Sequence, residues 1–356
     1  MKYALIGCGR VSGSHIKAAQ NNELEIAALC DIVPEKASAL AEKYGINPAI
    51  YSDYKKMLQE VNPELVAIAT VSGTHGEIAL YCAENGFNFM VEKPMAMSIA
   101  EADKVISAAQ KSGVTAGVCH QNRFNIAVQE LRRAIDDDRF GKLSHGSVHI
   151  RWCRDEDYYN QDDWRGKWAT DGGALMNQCI HGIDLLRWLM GDEVESVYGS
   201  TRNSQHPYIE AEDIGVAVVN FKNGAVATIE GTVNAVENLE ETLCVFGEKG
   251  MVRLGGMNAS TVDVWKFAEG EDEDSQKLSI EEPAPNVYGH GHISLYYDVI
   301  NAVKNKRQPY VDLYSGKRAV EMVLAIYKSQ LTGEKVALPL EDFASSQMTD
   351  VFTAKK

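Results

Sequence analysis

The sequence predicts an α/β chain in two parts: an N-terminal doubly wound parallel sheet, then a C-terminal α+β region built on a large open sheet that is mostly antiparallel. Two observations carry this prediction. Up to about residue 122, short apolar runs alternate with amphipathic segments, the rhythm of strands buried on both faces and joined by crossover helices. From about residue 143 the runs lengthen and alternate apolar with polar, the period of strands covered on one face.

Taken in order, "YALIGCG", "EIAALCD", "ELVAIAT", "FNFMVEKP" and "VTAGVCH" read as the buried strands. The segments "PEKASALAEKYG" and "SIAEADKVISAAQKSG" between them read as helices, the second opening with a Ser98/Glu101 capping box and closing on Gly113. In the second part, "SHGSVHIRW", "EDIGVAVVNF", "GAVATIEGTVNAV", "ETLCVFG" and "STVDVWKF" read as strands, with a hairpin turn at Asn223-Gly224. One helix, "IHGIDLLRWLMG", interrupts them. A final helical pair, "ISLYYDVINAVKN" and "SGKRAVEMVLAIYKSQ", is expected to pack back on the first part, and the acidic "EGEDEDSQ" at 269–276 reads as a solvated loop tip.

A chain of 356 residues that is 45% hydrophobic can bury a substantial core in two domains. Its formal net charge of -15 argues against a nucleic-acid or anionic-membrane surface and leaves room for a small anionic substrate. The seven cysteines include no CxxC and lie mostly in apolar surroundings, which suits reduced core thiols in a cytoplasmic protein and predicts no metal site. No apolar run approaches the ~18 residues of a membrane span.

"GCGRVSGSH" places Gly7 and Gly9 directly after the first strand and before a helix. In that context glycine lets the backbone turn tightly and approach a pyrophosphate seated on the helix N-terminus. Ser12 takes the third glycine position, with Arg10 and Val11 between. The second strand ends on Asp31, spaced to accept both hydroxyls of an adenosine ribose, and no arginine follows it to receive a 2′-phosphate. Together these features predict a Rossmann domain that binds NAD. "ATVSGTHGEIA" after the third run lies at the same carboxyl edge, where Thr70 and Ser72 are candidate cofactor contacts. His75 reads equally as a cofactor contact or as an N-terminal residue of the next helix.

In "VEKPMAM", Lys93 follows the fourth run and so projects from that edge, with Glu92 before it and a proline after it that disfavours helical geometry. A partly desolvated lysine beside a cationic nicotinamide is suited to removing a hydroxyl proton during hydride abstraction. "DGGALMNQCIHGID" adds Asn177, His181 and Asp184 at spacings of four and three, on one face of a helix. His181 can relay a proton near neutral pH, and Gly172 and Gly173 ahead of it signal close backbone approach.

With these motifs, and with "HQNRFNIAVQEL" and "DWRGKWATDGGALMNQCIHGIDLLRWLMG", the chain resembles the glucose-fructose oxidoreductase, inositol dehydrogenase and MocA family of NAD(P)-dependent sugar dehydrogenases over nearly its full length. The resemblance implies a Rossmann domain over 1–122 and, over 123–356, a substrate domain whose open-faced sheet makes the contacts of a homodimer or homotetramer. It makes Lys93 and His181 the expected catalytic pair, sets Glu92 and Lys93 at the cofactor, and places Gln121, Arg123, Trp164 and Arg165 near the nicotinamide or substrate. Inositol-type members carry aspartate where this chain has Asn177. Asparagine there is similar to the nucleotide-sugar 3-dehydrogenases that oxidise UDP-N-acetylglucosaminuronate. "RWCRDEDYYNQDDWRGKWA" adds Arg151, Arg154, Arg165, Lys167, Tyr158 and Tyr159 as candidates for an anionic or aromatic substrate group. Cys179 stands where the family usually has glycine.

The expected activity is therefore NAD-dependent oxidation of a secondary sugar hydroxyl, with position 3 of a UDP-hexuronate as the specific form. The rivals are an inositol or free-sugar dehydrogenase, an NAD-retaining glycoside hydrolase or lyase that uses transient oxidation, and a regulator with a disabled site.

Overall fold

The computed structural model describes residues 1–268 and 291–352; the acidic run at 269–276 lies outside them. The chain divides into two compact units, Met1–Gln121 with His292–Lys317, and Asn122–Gly291 with Arg318–Lys356.

The first unit holds a six-stranded sheet in the order β3-β2-β1-β4-β5-β6. Its strands are β1 (Lys2–Ile6), β2 (Glu25–Cys30), β3 (Ala49–Tyr51), β4 (Leu65–Ile68), β5 (Phe89–Val91) and β6 (Ala116–Val118), all paired in parallel. The crossovers are α1 (Ser12–Asn21), α2 (Pro34–Tyr44), α3 (Tyr54–Val61), α4 (His75–Glu84) and α5 (Ile99–Ser112). The apolar runs become β1, β2, β4, β5 and β6, and all four residues of β4 are buried. β3 went unpredicted because it is three residues long, at the sheet edge, with no residue fully buried and so no hydrophobic signature. At α5, Ser98 Oγ accepts from the Glu101 N–H at 3.1 Å, while the Glu101 carboxylate reaches one residue further back, to the Met97 N–H at 2.9 Å. The helix ends on left-handed Gly113, as expected.

Residues near 310 run beside β6 within this unit: the Val118 N–H donates to the Val311 carbonyl at 3.1 Å, and Gly117 bridges Asp312. A Cβ on Gly117 would lie 3.0 Å from the Pro309 ring and 3.1 Å from the Val311 carbonyl oxygen, a tighter contact than side chains ordinarily make, so glycine eases this approach. The helix Gly291–Lys304 contributes Tyr296, whose hydroxyl lies 2.7 Å from that of Tyr3 on β1.

The second unit holds an eight-stranded sheet, β13-β12-β11-β7-β10-β9-β8-β14. Its strands are β7 (Leu143–Arg151), β8 (Val194–Arg202), β9 (Ile214–Phe221), β10 (Val226–Thr232), β11 (Glu240–Gly247), β12 (Gly250–Gly255), β13 (Thr261–Phe267) and β14 (Val336–Ala337). Every neighbouring pair is antiparallel except β7 with β10. The Asn223-Gly224 turn joins β9 to β10, with Gly224 at φ 88°. Helix α6 (Ile126–Asp136) leads into β7, and the single turn α7 (Glu156–Tyr159) follows it. One sheet face is covered by α8 (Ile180–Leu189), where Gly182 lies against Val148 and Ile150 of β7. The opposite face carries Tyr198, Val216, Val218, Val226 and Met251, all exposed. Cross-strand pairing of Tyr198 with Val218 sets this apolar row on one side. The helix Leu313–Thr332 begins in the first unit and continues in the second from Arg318. Among the described residues no helix is long and apolar enough to cross a membrane.

Candidate active site

In the first unit the site is built largely from main chain. Gly7 leaves β1 at φ 96°, and a Cβ on it would lie 2.4 Å from the Ala69 carbonyl oxygen after β4. Glycine is thus required where the ends of β1 and β4 meet, the point at which strand order reverses. A Cβ on Gly9 would meet no heavy atom within 4 Å among the described residues, so space above the loop is open. Ser12 is buried and turns its hydroxyl back to donate to the Gly9 carbonyl at 2.6 Å, which explains how serine replaces the third glycine. The close packing falls on Gly13, whose Cβ would sit 2.5 Å from the Tyr44 hydroxyl. Arg10 is exposed and Val11 half-buried. α1 starts with no side-chain cap and no acidic residue in its first turn, so its N–H groups and dipole suit an anion. Asp31 accepts from the Cys8 N–H at 2.8 Å and the Val33 N–H at 2.9 Å, and each oxygen retains a lone pair for a ribose hydroxyl. These residues fit the adenosine and pyrophosphate of a dinucleotide.

After β4, the Thr70 and Thr74 hydroxyls pair at 2.8 Å, and Ser72 is buried in a 3₁₀ turn. His75 opens α4, also buried, with Nδ1 2.7 Å from the Pro94 carbonyl and Nε2 3.1 Å from the Thr70 carbonyl. Burial lowers its pKa, so the neutral ring carries one N–H, and the shorter contact marks Pro94 as its acceptor. His75 thereby ties the start of α4 to the turn after β5 through its one N–H. That turn contains a cis Lys93-Pro94 bond, with Glu92 buried and Lys93 half-buried. Gln121, the last residue of this stretch of the unit, is buried.

In the second unit the polar residues separate into two groups. Arg123 and Asp184, expected at the substrate, are 2% and 0% exposed and bind each other. Arg123 Nε and NH2 lie 2.7 and 2.6 Å from the two Asp184 oxygens, and Arg187 adds a third contact at 3.1 Å. Inside the unit the two charges are paired, which fixes α8 to the segment before α6. Arg151, on β7, is held by Glu230 at 2.6 Å and Glu240 at 2.5 Å. Tyr159 is buried, its ring against Tyr158, His206 and Tyr208.

The other group stays together near Asn177. Asn177 lies in a π-helical turn, Leu175–Cys179, that precedes α8, so the one-face helix expected for 177, 181 and 184 is broken there. Its Nδ2 donates to Asp171, which also accepts from the Gly166 N–H at 2.6 Å. Its Oδ1 accepts from Gln178 Nε2 at 2.7 Å, and the same Nε2 donates to the Tyr158 hydroxyl at 2.9 Å. Arg165 donates to that hydroxyl at 2.6 Å and stacks on Tyr158 and Trp164 at 4.4 and 4.6 Å, with Arg154 on Tyr158 at 5.2 Å. His181, the second residue of α8, is 7% exposed. Asp171 and Gln178 escaped sequence reasoning, although Asp171 directly precedes the glycine pair that did attract notice.

The approach signalled by Gly172 and Gly173 is to Glu212: a Cβ on Gly173 would overlap its carboxylate. Both glycines have positive φ, 80° and 87°. Glu212 is fully buried, accepts from the Leu175 N–H at 2.8 Å and from the Tyr327 hydroxyl at 2.8 Å, and burial raises its pKa well above the carboxylate range. It anchors the start of the π-turn by accepting these bonds. Cys179 has φ -93°, which needs no glycine, and the room for its sulfur is supplied by Gly231 on β10.

Comparison with known proteins identifies the same two parts. Residues 1–120 match the oxidoreductase family with NAD-binding Rossmann fold, and residues 128–253 match the GFO/IDH/MocA C-terminal domain. The WlbA dehydrogenase of Bordetella pertussis, solved with NADH and UDP-GlcNAcA, is 36% identical, with 96% of this chain and 99% of that one covered at a TM-score of 0.85. Its counterpart from Chromobacterium violaceum, solved with the same two ligands, is 35% identical over 96% of each chain at 0.88. The myo-inositol 2-dehydrogenase of Thermotoga maritima is 26% identical over 348 residues, 96% of this chain and 99% of its own. The chain belongs to the GFO/IDH/MocA oxidoreductase family and is an NAD-dependent sugar dehydrogenase.

Proposed function

We propose that the substrate is a hexuronate carried on UDP and that the hydroxyl oxidised is at position 3. The observation carrying this reading is the cluster around Asn177: an amide in place of a carboxylate, bordered by Gln178, Tyr158, Trp164 and two guanidinium groups. An amide does not repel an anionic sugar as an aspartate would, and planar cations stacked on rings suit carboxylate, phosphate and base. Two similar chains, 35–36% identical, were solved with UDP-GlcNAcA, which supports the same substrate class.

NAD, when bound, supplies the hydride acceptor. In this reading Lys93 in its neutral form takes the hydroxyl proton as hydride departs, and His181 passes that proton on. The Gly7–Ser12 loop and Asp31 hold the pyrophosphate and ribose, while Asn177 and the guanidinium–aromatic cluster orient the sugar. Cytoplasmic placement and assembly through the apolar row Tyr198, Val216, Val218, Val226 and Met251 against a second copy complete the proposal.

The deciding experiment offers purified protein and NAD a panel of free sugars, inositols, hexuronates and UDP-sugars, with Lys93→Ala as control. NADH formation confined to UDP-hexuronates is the expected result. A response to free polyols alone overturns the nucleotide-sugar reading, and hydrolysis of a glycoside without accumulation of NADH overturns net oxidation.

A further inference from the structure

We propose that Glu92 is the positioning residue of Lys93, a buried carboxylate braced by two histidines that fixes the lysine's turn and sets the charge beside it. This rests on the reading of Lys93 as the base. Glu92 is 6% exposed, yet its two oxygens face different duties. Oε1 lies 3.2 Å from His15 Nε2 on α1 and 3.6 Å from His292 Nε2 on the helix Gly291–Lys304. Oε2 accepts from the Lys93 backbone N–H at 3.2 Å.

The surrounding bonds permit one consistent proton arrangement. His15 is fully buried, which lowers its pKa and leaves the ring one N–H. Its Nδ1 lies 2.7 Å from the Tyr296 hydroxyl, which lies 2.7 Å from that of Tyr3. Tyr3 then donates to Tyr296, Tyr296 to Nδ1, and Nε2–H to Glu92, so each donor has one acceptor. Burial pushes the Glu92 carboxyl up, but the two histidines outweigh it and hold the group well below the usual carboxylate range. The titratable and charged groups around it are His15 on α1, His292 and Tyr296 on the helix Gly291–Lys304, His75 on α4, Cys119 after β6, and Lys93 itself. Because α1 is also the helix whose N-terminus faces the dinucleotide loop, Glu92 joins that loop and the Lys93 turn into one piece.

The test compares Glu92→Gln and Glu92→Asp with wild type across the pH profile of kcat, using the panel substrate of highest turnover. Glu92→Gln keeps an acceptor for the Lys93 N–H but removes the negative charge, which makes neutral Lys93 easier to form. The acid limb is expected to move about 0.5–1 unit to lower pH. Glu92→Asp keeps the charge and withdraws the support, so kcat should fall roughly 10-fold with the limb in place. A wild-type limb in Glu92→Gln, with Lys93→Ala inactive, overturns the proposal while sparing the base assignment; an active Lys93→Ala overturns the base assignment. If Glu92→Gln does not fold, Glu92→Asp decides, and an unchanged kcat defeats the proposal.

Discussion

The two units build polar sites by opposite means. In the first, the dinucleotide loop presents main-chain groups, and its side chains serve chiefly to brace it: Ser12 bonds back to Gly9, and His75 ties the start of α4 to the turn after β5. In the second, the candidate groups are side chains, and they compete for partners inside the unit. Arg123, Asp184 and Arg151 lose that competition to buried or cross-strand ion pairs, whereas Arg165, Tyr158 and Asn177 keep their polar groups clustered. A backbone site announces itself by glycine position alone. A side-chain site is decided by which distant residue arrives next to it.

Four substitutions put this contrast at risk. Lys93→Ala should lower turnover by roughly 10²–10⁴-fold while leaving NADH binding, read by nucleotide fluorescence, near wild type; lost NADH binding instead would make the lysine part of the loop architecture. Asp184→Asn leaves Arg123 and Arg187 buried with less compensation, so denaturant melts should reveal about 3–5 kcal/mol of lost stability, whereas a stable protein with a raised sugar KM would place Asp184 at the substrate. Arg165→Met should raise the KM for the UDP-sugar about 10-fold through lost stacking and charge, with the KM for NAD unmoved.

The smallest expected effect concerns Glu241, which is fully buried with Asn122 Nδ2 at 3.4 Å and whose pKa burial raises to about 8. A carboxyl raised on folding binds its proton more tightly in the native state. Its stabilising contribution is therefore complete below the ordinary carboxylate pKa and declines as pH rises towards about 8. Glu241→Gln should flatten the melting temperature over that interval, and an unaltered slope would locate the dependence elsewhere.

Legibility in the sequence follows the same division. Gly7, Asp31 and the apolar runs of the parallel sheet were readable because local spacing determines them. β3 was not, since an edge strand of three half-buried or exposed residues carries no pattern. Spacing brought Asn177, His181 and Asp184 into view as a helical set, but the π-turn through Cys179 depends on Leu175 and Cys179 fitting over Gly215 and Gly231, residues remote in sequence. Glu212 was invisible for a related reason: nothing local distinguishes a glutamate that will be buried from one facing water.

The core of the first unit also has a history in time. Its strands are complete by residue 118, yet Tyr3, His15 and Glu92 find their partners on a helix that starts at Gly291. During synthesis the nascent nucleotide-binding half must wait while residues 122–291 are translated, on the order of ten seconds at cellular elongation rates. Until that helix leaves the ribosome, Tyr3 and His15 lack the Tyr296 hydroxyl and Glu92 lacks its contact with His292.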